Sequence, residues 1–312
     1  MFDLKKHTIY MHLAGSRAYG TFNENSDWDY RGIAIPPEIY FYSPFKSFEQ
    51  KEGVEGYGKD SVVYDIRKHV KLCTDNNPNI MESLYIQKEH QIVTTKYSDL
   101  LIANRDLFLS KRALPKFGGY AAQQMKRLKD HRDMMLKHGE VAPARPTRAE
   151  FGLSDKRKWP KAVVLNLVGA DLSSASDDLR DELIREMRFY QAVSAYDRVI
   201  EWQISRNKNR YELEVQHGYD TKHAMHLVRL LRMAKEILVE GTLHVLRPDR
   251  EELVSIRNGA WSYDKLLGWA KETELELNEL GKASKLQEKP QEEKIEELTN
   301  ELVHDFLAQE GK

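Results

Sequence analysis

Asp27 and Asp29 stand one residue apart in Ser26-Asp27-Trp28-Asp29-Tyr30-Arg31, shortly after a Gly15-Ser16 turn that closes an apolar run at 9–14. Side chains at i and i+2 of a strand point the same way, so both carboxylates share one side and Trp28 and Tyr30 take the other. Paired hard anionic ligands on one rigid edge suit Mg²⁺, which takes oxygen ligands and keeps room for water and substrate phosphates. Divalent ions held by aspartates can polarise an acceptor hydroxyl and hold a triphosphate, which is the chemistry of phosphoryl or nucleotidyl transfer. Gly15 lets the backbone approach a phosphate closely, and Ser16 offers its hydroxyl beside backbone N–H groups to the β- and γ-phosphates.

A third carboxylate from a neighbouring strand usually completes such a cage, and two candidates stand near the run 61–65. Asp65 lies between Tyr64 and Ile66, and Asp60 precedes the run between Lys59 and Ser61. Asp65 is preferred because flanking core residues hold it rigidly. Strand parity puts Asp60 and Asp65 on opposite faces, so only one of them serves. No Lys follows the glycines as a P-loop requires, and His223 and His226 are one residue short of the metalloprotease i, i+4 pair, which disfavours a Walker-type NTPase and a zinc hydrolase.

Elements must position these groups. Residues 9–14 read as a strand, 28–35 as a second ending at Pro36-Pro37, and 61–65 as a third leading into a helix. Between Ser16 and Ser26 lies a loop rich in Gly, Asn and Ser, with room for a short helix. Past about Leu101 helical periodicity takes over: Leu183, Met187, Ala192, Ala195, Val199 and Trp202 share one stripe, and Leu227, Leu230, Leu231, Ala234 and Leu238 share another before Gly241. The Pro-rich stretch 142–148 reads as an extended loop inserted in the helical part. The fold class is α/β (α+β): a mixed sheet with helices at 1–105, a mainly helical domain with a basic insertion at 106–284, and a charged terminal helix at 285–312 that starts after Pro290.

The chain of 312 residues carries 48 Lys and Arg against 49 Asp and Glu, so no global field draws it to nucleic acid or membrane and local charge must do so. One cysteine, Cys73, excludes an intramolecular disulfide and a cysteine-rich zinc site and fits a reducing cytoplasm. There is no secretory signal pattern at the start and no apolar run near the roughly 18 residues that span a bilayer, so a cytoplasmic location without membrane attachment is expected.

The run Leu13-Ala14-Gly15-Ser16, a spacer, and Asp27-Trp28-Asp29 resembles the signature of the DNA polymerase β nucleotidyltransferase superfamily. The fuller text, Gly15-Ser16-Arg17-Ala18-Tyr19-Gly20-Thr21 and Ser26 to Gly32, with Asn77-Pro78-Asn79, Glu82, Tyr219 to His226 and Arg229, resembles a narrower branch. That branch comprises the predicted nucleotidyltransferases associated with RNA ligases in RNA-repair gene neighbourhoods of bacteria and phages. The resemblance implies a polymerase β-like catalytic sheet domain in which Gly15 and Ser16, with Arg17 beside them, bind nucleotide phosphates. It also implies that Asp27, Asp29 and a third acid bind Mg²⁺ or Mn²⁺. An NTP such as ATP would be the donor, an RNA end the acceptor, and an RNA ligase a pathway partner.

Helical spacing places Lys222, His226 and Arg229 on one face, where they could hold the triphosphate or the departing pyrophosphate. The resemblance favours this role for Lys222 and Arg229. A second basic stretch, 111–161, holds fourteen Lys or Arg against five Asp or Glu, with Phe117, Tyr120, Phe151 and Trp159 interleaved, a composition that can contact RNA or serve as a solvated helix face. Two other readings stay open: transfer to a protein or small molecule, as in toxin-like or antibiotic-modifying enzymes, and a non-catalytic RNA-binding subunit that keeps the fold.

Overall fold

The computed structural model describes residues 2–138, 143–156, 158–167, 169–171, 173, 175–204 and 208–310. Of the expected loop at 142–148, Ala142 lies outside these residues, and 143–147 carry no regular secondary structure. The chain divides into two compact units: Met1–Arg127 with Thr221–Lys312, and Leu128–Asp220.

The first unit is built on a five-stranded mixed sheet of order β3-β4-β2-β1-β5. Its strands are β1 (Thr8–Ala14), β2 (Asp29–Ala34), β3 (Gln50–Glu52), β4 (Ser61–Asp65) and β5 (Gln91–Val93). The three expected strands are β1, β2 and β4, rich in the β-branched and aromatic residues that pack well on a pleated surface. The two edge strands have three residues each, too short to show an alternating pattern. β1 and β2 pair antiparallel with Ala14 opposite Asp29, whereas β2 and β4 pair parallel with Tyr30 opposite Ser61 and Ala34 opposite Asp65.

One face of the sheet carries Met11, Ala34 and Val63, all fully buried, with Tyr30, Phe48, Val54, Tyr57 and Val93 against them. The other face carries Tyr10, His12 and Ile33 and is covered by the helix Ile66–Thr74, whose buried residues are Ile66, His69, Val70 and Cys73. Asp65 starts that helix by accepting a hydrogen bond from the Arg67 N–H. Cys73 is a free thiol pushed well above its ordinary pKa by burial, so it packs as a small inert residue. The helix Thr221–Glu240 buries the whole stripe Leu227, Leu230, Leu231, Ala234 and Leu238, and the helices Arg250–Arg257 and Tyr263–Ala283 pack on it. The terminal helix Glu292–Glu310 buries Ile295 and Leu302 and packs on Ile66–Thr74, with an ion pair from Asp305 to Lys96.

The second unit is helical, with long helix Asp177–Ile204 burying Leu183 and Val199. The buried carboxylate of Glu186 accepts a charged hydrogen bond from Arg148 Nη1 at 3.0 Å and a second from Nη2. Two aromatic residues of the basic stretch are committed here. Phe151 meets Phe189 edge-on, and Trp159 donates its indole N–H to Glu182 at 3.3 Å. Among the described residues no helix is long and apolar enough to cross a membrane.

Two buried histidines make the sheet domain sensitive to acid. Burial lowers the pKa of His12 to about 4, with Arg31 adding to the effect, and burial together with His12 lowers that of His69 to about 3. Below the ordinary value of 6.5 the unfolded chain binds protons that the folded chain refuses, so stability falls as pH drops from there towards about 4. The loss per histidine is up to about 1.4 kcal/mol per pH unit. Urea unfolding at pH 7, 6 and 5 should show this slope, and His69→Asn should make it shallower; a wild-type profile that is flat over this range contradicts the account.

Candidate active site

The polypeptide leaves β1 at Ala14 and enters a short helix, Gly15–Tyr19, while β2 begins at Asp29 directly opposite Ala14. Gly15 has φ +61°, and a Cβ placed on it would lie 2.2 Å from Asp29 Oδ2. No residue with a side chain fits there, because the backbone conformation is strained and the carboxylate occupies the space. The Gly-Ser bend and the Asp-x-Asp edge therefore meet in space.

Parallel register brings the start of β4 beside the start of β2, and so places Asp60 next to Asp29. The Asp60 carbonyl accepts from the Tyr30 N–H at 3.3 Å and from Arg31 Nη1 at 2.9 Å. Arg31 Nη1 also donates to the Tyr30 carbonyl at 2.8 Å, so one guanidinium ties the Asp60 turn to β2. The electrostatics report the same cluster. Burial, first, raises the Asp29 carboxyl above its ordinary value; Arg31 pulls it down, Asp60 and Asp27 push it up, and Lys222 pulls it down again. Asp60, Asp27 and Lys222 thus all lie near enough to Asp29 to act on its charge.

Asp65 is elsewhere. It is the last residue of β4, five positions beyond Asp60 and hence about 16 Å further along the strand. Its side chain points to the opposite face by strand parity, and it is 1 % exposed. Arg67 donates to it twice, Nε at 2.9 Å and Nη2 at 2.6 Å, in addition to the helix-capping bond. The structure does not bring Asp65 to Asp27 and Asp29, and it brings Asp60 instead. The rigidity of Asp65 comes from its capping duty at the end of β4 far from Asp29.

The expected basic groups separate likewise. Arg17 donates to the Ser26 carbonyl at 3.0 Å and the Asp27 carbonyl at 3.3 Å and lies 3.7 Å over the Trp28 ring, so it braces the loop that carries Asp27. Lys222 is exposed near Asp29, and His226 follows one turn later, half-buried. Arg229 is 4 % exposed and donates to Glu82 Oε1 at 2.6 Å, while Tyr19 donates to Glu82 Oε2 at 2.7 Å. The guanidinium of Arg229 also sits 3.9 Å over the Tyr19 ring. Burial favours the neutral guanidine, but Tyr19 and Glu82 outweigh it and hold Arg229 charged. Arg229 is thus a strut behind the Gly15–Tyr19 helix. Sequence reasoning missed Arg31 as a brace, although its position two residues after Asp29, on the same strand face, was the available signal.

Residues 3–146 match the sequence model of RlaP, described as the RNA repair pathway DNA polymerase beta family. That stretch contains the whole sheet, the Gly15-Ser16 bend and the acidic residues Asp27, Asp29 and Asp60. No curated protein and no solved structure matches the chain.

Proposed function

We propose that the chain transfers a nucleoside monophosphate from an NTP to a hydroxyl at an RNA end, releasing pyrophosphate. The observation that carries this reading is the contact of the Gly15 bend with Asp29, beside Asp60 and under the charge of Lys222. A divalent cation fits the donor set: three hard oxygen ligands, one of them half-buried and driven towards protonation by its neighbours. Asp27, Asp29 and Asp60 would hold Mg²⁺ or Mn²⁺. Such an ion, when bound, neutralises charge on the triphosphate and acidifies the acceptor hydroxyl.

The rest of the work belongs to the chain. Gly15 and Ser16 present backbone and hydroxyl to the terminal phosphates. The acceptor oxygen forms its bond to the α-phosphorus as the bond from that phosphorus to the bridging oxygen breaks, and pyrophosphate leaves with the electron pair. The hydroxyl proton passes to the carboxylate cluster. Lys222 offsets charge on the departing pyrophosphate, with His226 one turn behind it. Arg31 and Arg17 keep Asp60 and Asp27 in place during the exchange.

The experiment is incubation of the purified chain with each labelled NTP, Mg²⁺ or Mn²⁺ and pooled RNA. A labelled product that ribonuclease destroys is expected; label on protein, or no turnover of any NTP, would overturn the reading. Asp60→Asn should cut transfer by at least about a hundredfold, because even the outer partners of metal ligands are worth roughly 10–100-fold. Asp65→Ala should lower stability by about 1 kcal/mol through the lost cap and leave transfer in place. The reverse pattern would assign the third carboxylate to Asp65.

A further inference from the structure

Arg31 is half-buried on β2, on the same strand face as Asp29 and about 7 Å further along the strand. It stands opposite His12, whereas Asp29 stands opposite Ala14, so Arg31 lies on the side of Asp29 away from the Gly15-Ser16 bend. A guanidinium carries five N–H donors. Nη1 donates to the Tyr30 and Asp60 carbonyls, but Nε and Nη2 donate to no acceptor among the described residues. Neither of these two nitrogens is sealed from solvent. The edge they form is the one that Arg67 uses to grip both oxygens of Asp65. In the same unit Arg67, Arg229, Arg232 and Arg247 each pair with a carboxylate, whereas Arg31 forms no ion pair among the described residues. A half-buried charge of this kind is costly until a counter-ion joins it.

Tyr64 of β4 stands opposite Ile33, which shares the face of Arg31, and Arg31 and Tyr64 line one narrow cleft. The Tyr64 hydroxyl also bonds to no described residue and is open to solvent. Burial raises its pKa, with Arg31 opposing, so at neutral pH it keeps its proton and can donate.

We propose that the free Nε–Nη2 edge of Arg31, with the Tyr64 hydroxyl beside it, binds a phosphate of a bound substrate. This rests on the transferase reading of the neighbouring carboxylates. Two parallel N–H groups match the two free oxygens of a phosphodiester, and the hydroxyl adds a donor to one of them. In an in-line displacement the acceptor oxygen enters opposite the departing pyrophosphate. With the pyrophosphate at the Gly15-Ser16 bend, the far side of Asp29 receives the acceptor, and the phosphate on Arg31 is then the last phosphodiester of an RNA strand. The α-phosphate of the NTP is the other source of the same group.

The test uses the full chain with Mn²⁺ and two fluorescein-labelled single-stranded RNAs. One has a phosphodiester at its last linkage and the other a neutral methylphosphonate, with a 2′-deoxy sugar before that linkage in both. Wild type should bind the neutral strand about tenfold more weakly, the scale of one hydrogen bond to a charged group. Arg31→Lys, which keeps a cation for the two carbonyls but loses the fork, should weaken binding of the charged strand about tenfold. Tyr64→Phe should weaken it about threefold, as for one neutral donor, and serves if the Arg31 variant does not fold. Neither variant should change the affinity for the neutral strand. If the affinity for NTP falls by these factors while the preference for the charged strand holds, the bound group is the α-phosphate. Wild-type values of both quantities in both variants would overturn the site however far kcat falls, because a brace that only positions Asp60 moves kcat alone. That result beside Asp29-dependent transfer leaves the transferase reading intact. A wild type that transfers nothing overturns the transferase reading, and the two strand affinities still decide the role of Arg31.

Discussion

Replacing Asp29 by Asn is expected to lower transfer by on the order of a thousandfold and, at the same time, to make the metal-free protein more stable at neutral pH. The first effect follows from losing a central ligand: several kcal/mol of charge stabilisation, at 1.36 kcal/mol per decade, is about three decades. The second follows from the raised Asp29 carboxyl. Its folded value lies above its unfolded value, chiefly through burial and then through Asp60 and Asp27, with Arg31 and Lys222 opposing. Below the unfolded value both states are protonated and nothing is lost. As pH rises through the folded value, the carboxylate ionises in a half-buried cluster of like charges, and stability is lost. The neutral amide escapes that loss, so its advantage should be full at pH 7 and disappear in acid. Thermal unfolding with a chelator and with Mn²⁺ measures both sides: wild type should gain Tm with Mn²⁺ because the ion binds only the folded state, and Asp29→Asn should gain much less. A variant that keeps transfer, or a wild-type Tm indifferent to Mn²⁺, would remove the carboxylates from the site.

Arg229→Met is expected to be the most destabilising single change in the sheet-bearing unit. Glu82 and Arg229 are both buried, and Tyr19 completes the arrangement from the Gly15–Tyr19 helix. Removing one partner of a buried pair leaves an uncompensated charge, at a cost of about 3–5 kcal/mol. Adding Glu82→Leu should recover most of that stability, since well-packed apolar replacements of buried pairs are often neutral. Recovered stability should not bring recovered activity, because Tyr19 loses the acceptor that fixes the far end of the phosphate-binding bend. Denaturant midpoints and the KM for NTP separate these outcomes. A double variant that is both stable and fully active would show that the pair serves stability alone.

The pattern of what was legible in the sequence follows the range of the interactions. β1, β2 and β4 announced themselves because each is a local run with its own alternation and turn signals, and the helix ending before Gly241 did so by its apolar stripe. The three-residue strands β3 and β5 carry too few residues for any period, and only pairing with β4 and β1 makes them strands. Tyr120 illustrates the same limit for the basic stretch. It looked like a stacking residue, yet its hydroxyl accepts a hydrogen bond from Asn77 at 2.9 Å, a partner far away in sequence.

By itself the sequence determined that an acidic Asp-x-Asp edge and a Gly-Ser bend follow one another across a short loop, because alternation along a strand and the conformational freedom of glycine are properties of a few consecutive residues. Only the tertiary structure decided that Asp60 and not Asp65 joins that edge, because the choice depends on the parallel register of β2 against β4, and register is set by the packing of whole strands. It likewise decided that Arg229, on the helical face of Lys222, is spent on Glu82 and Tyr19. A charge seen in sequence has no partner until the fold brings one, and burial then makes that partnership obligatory.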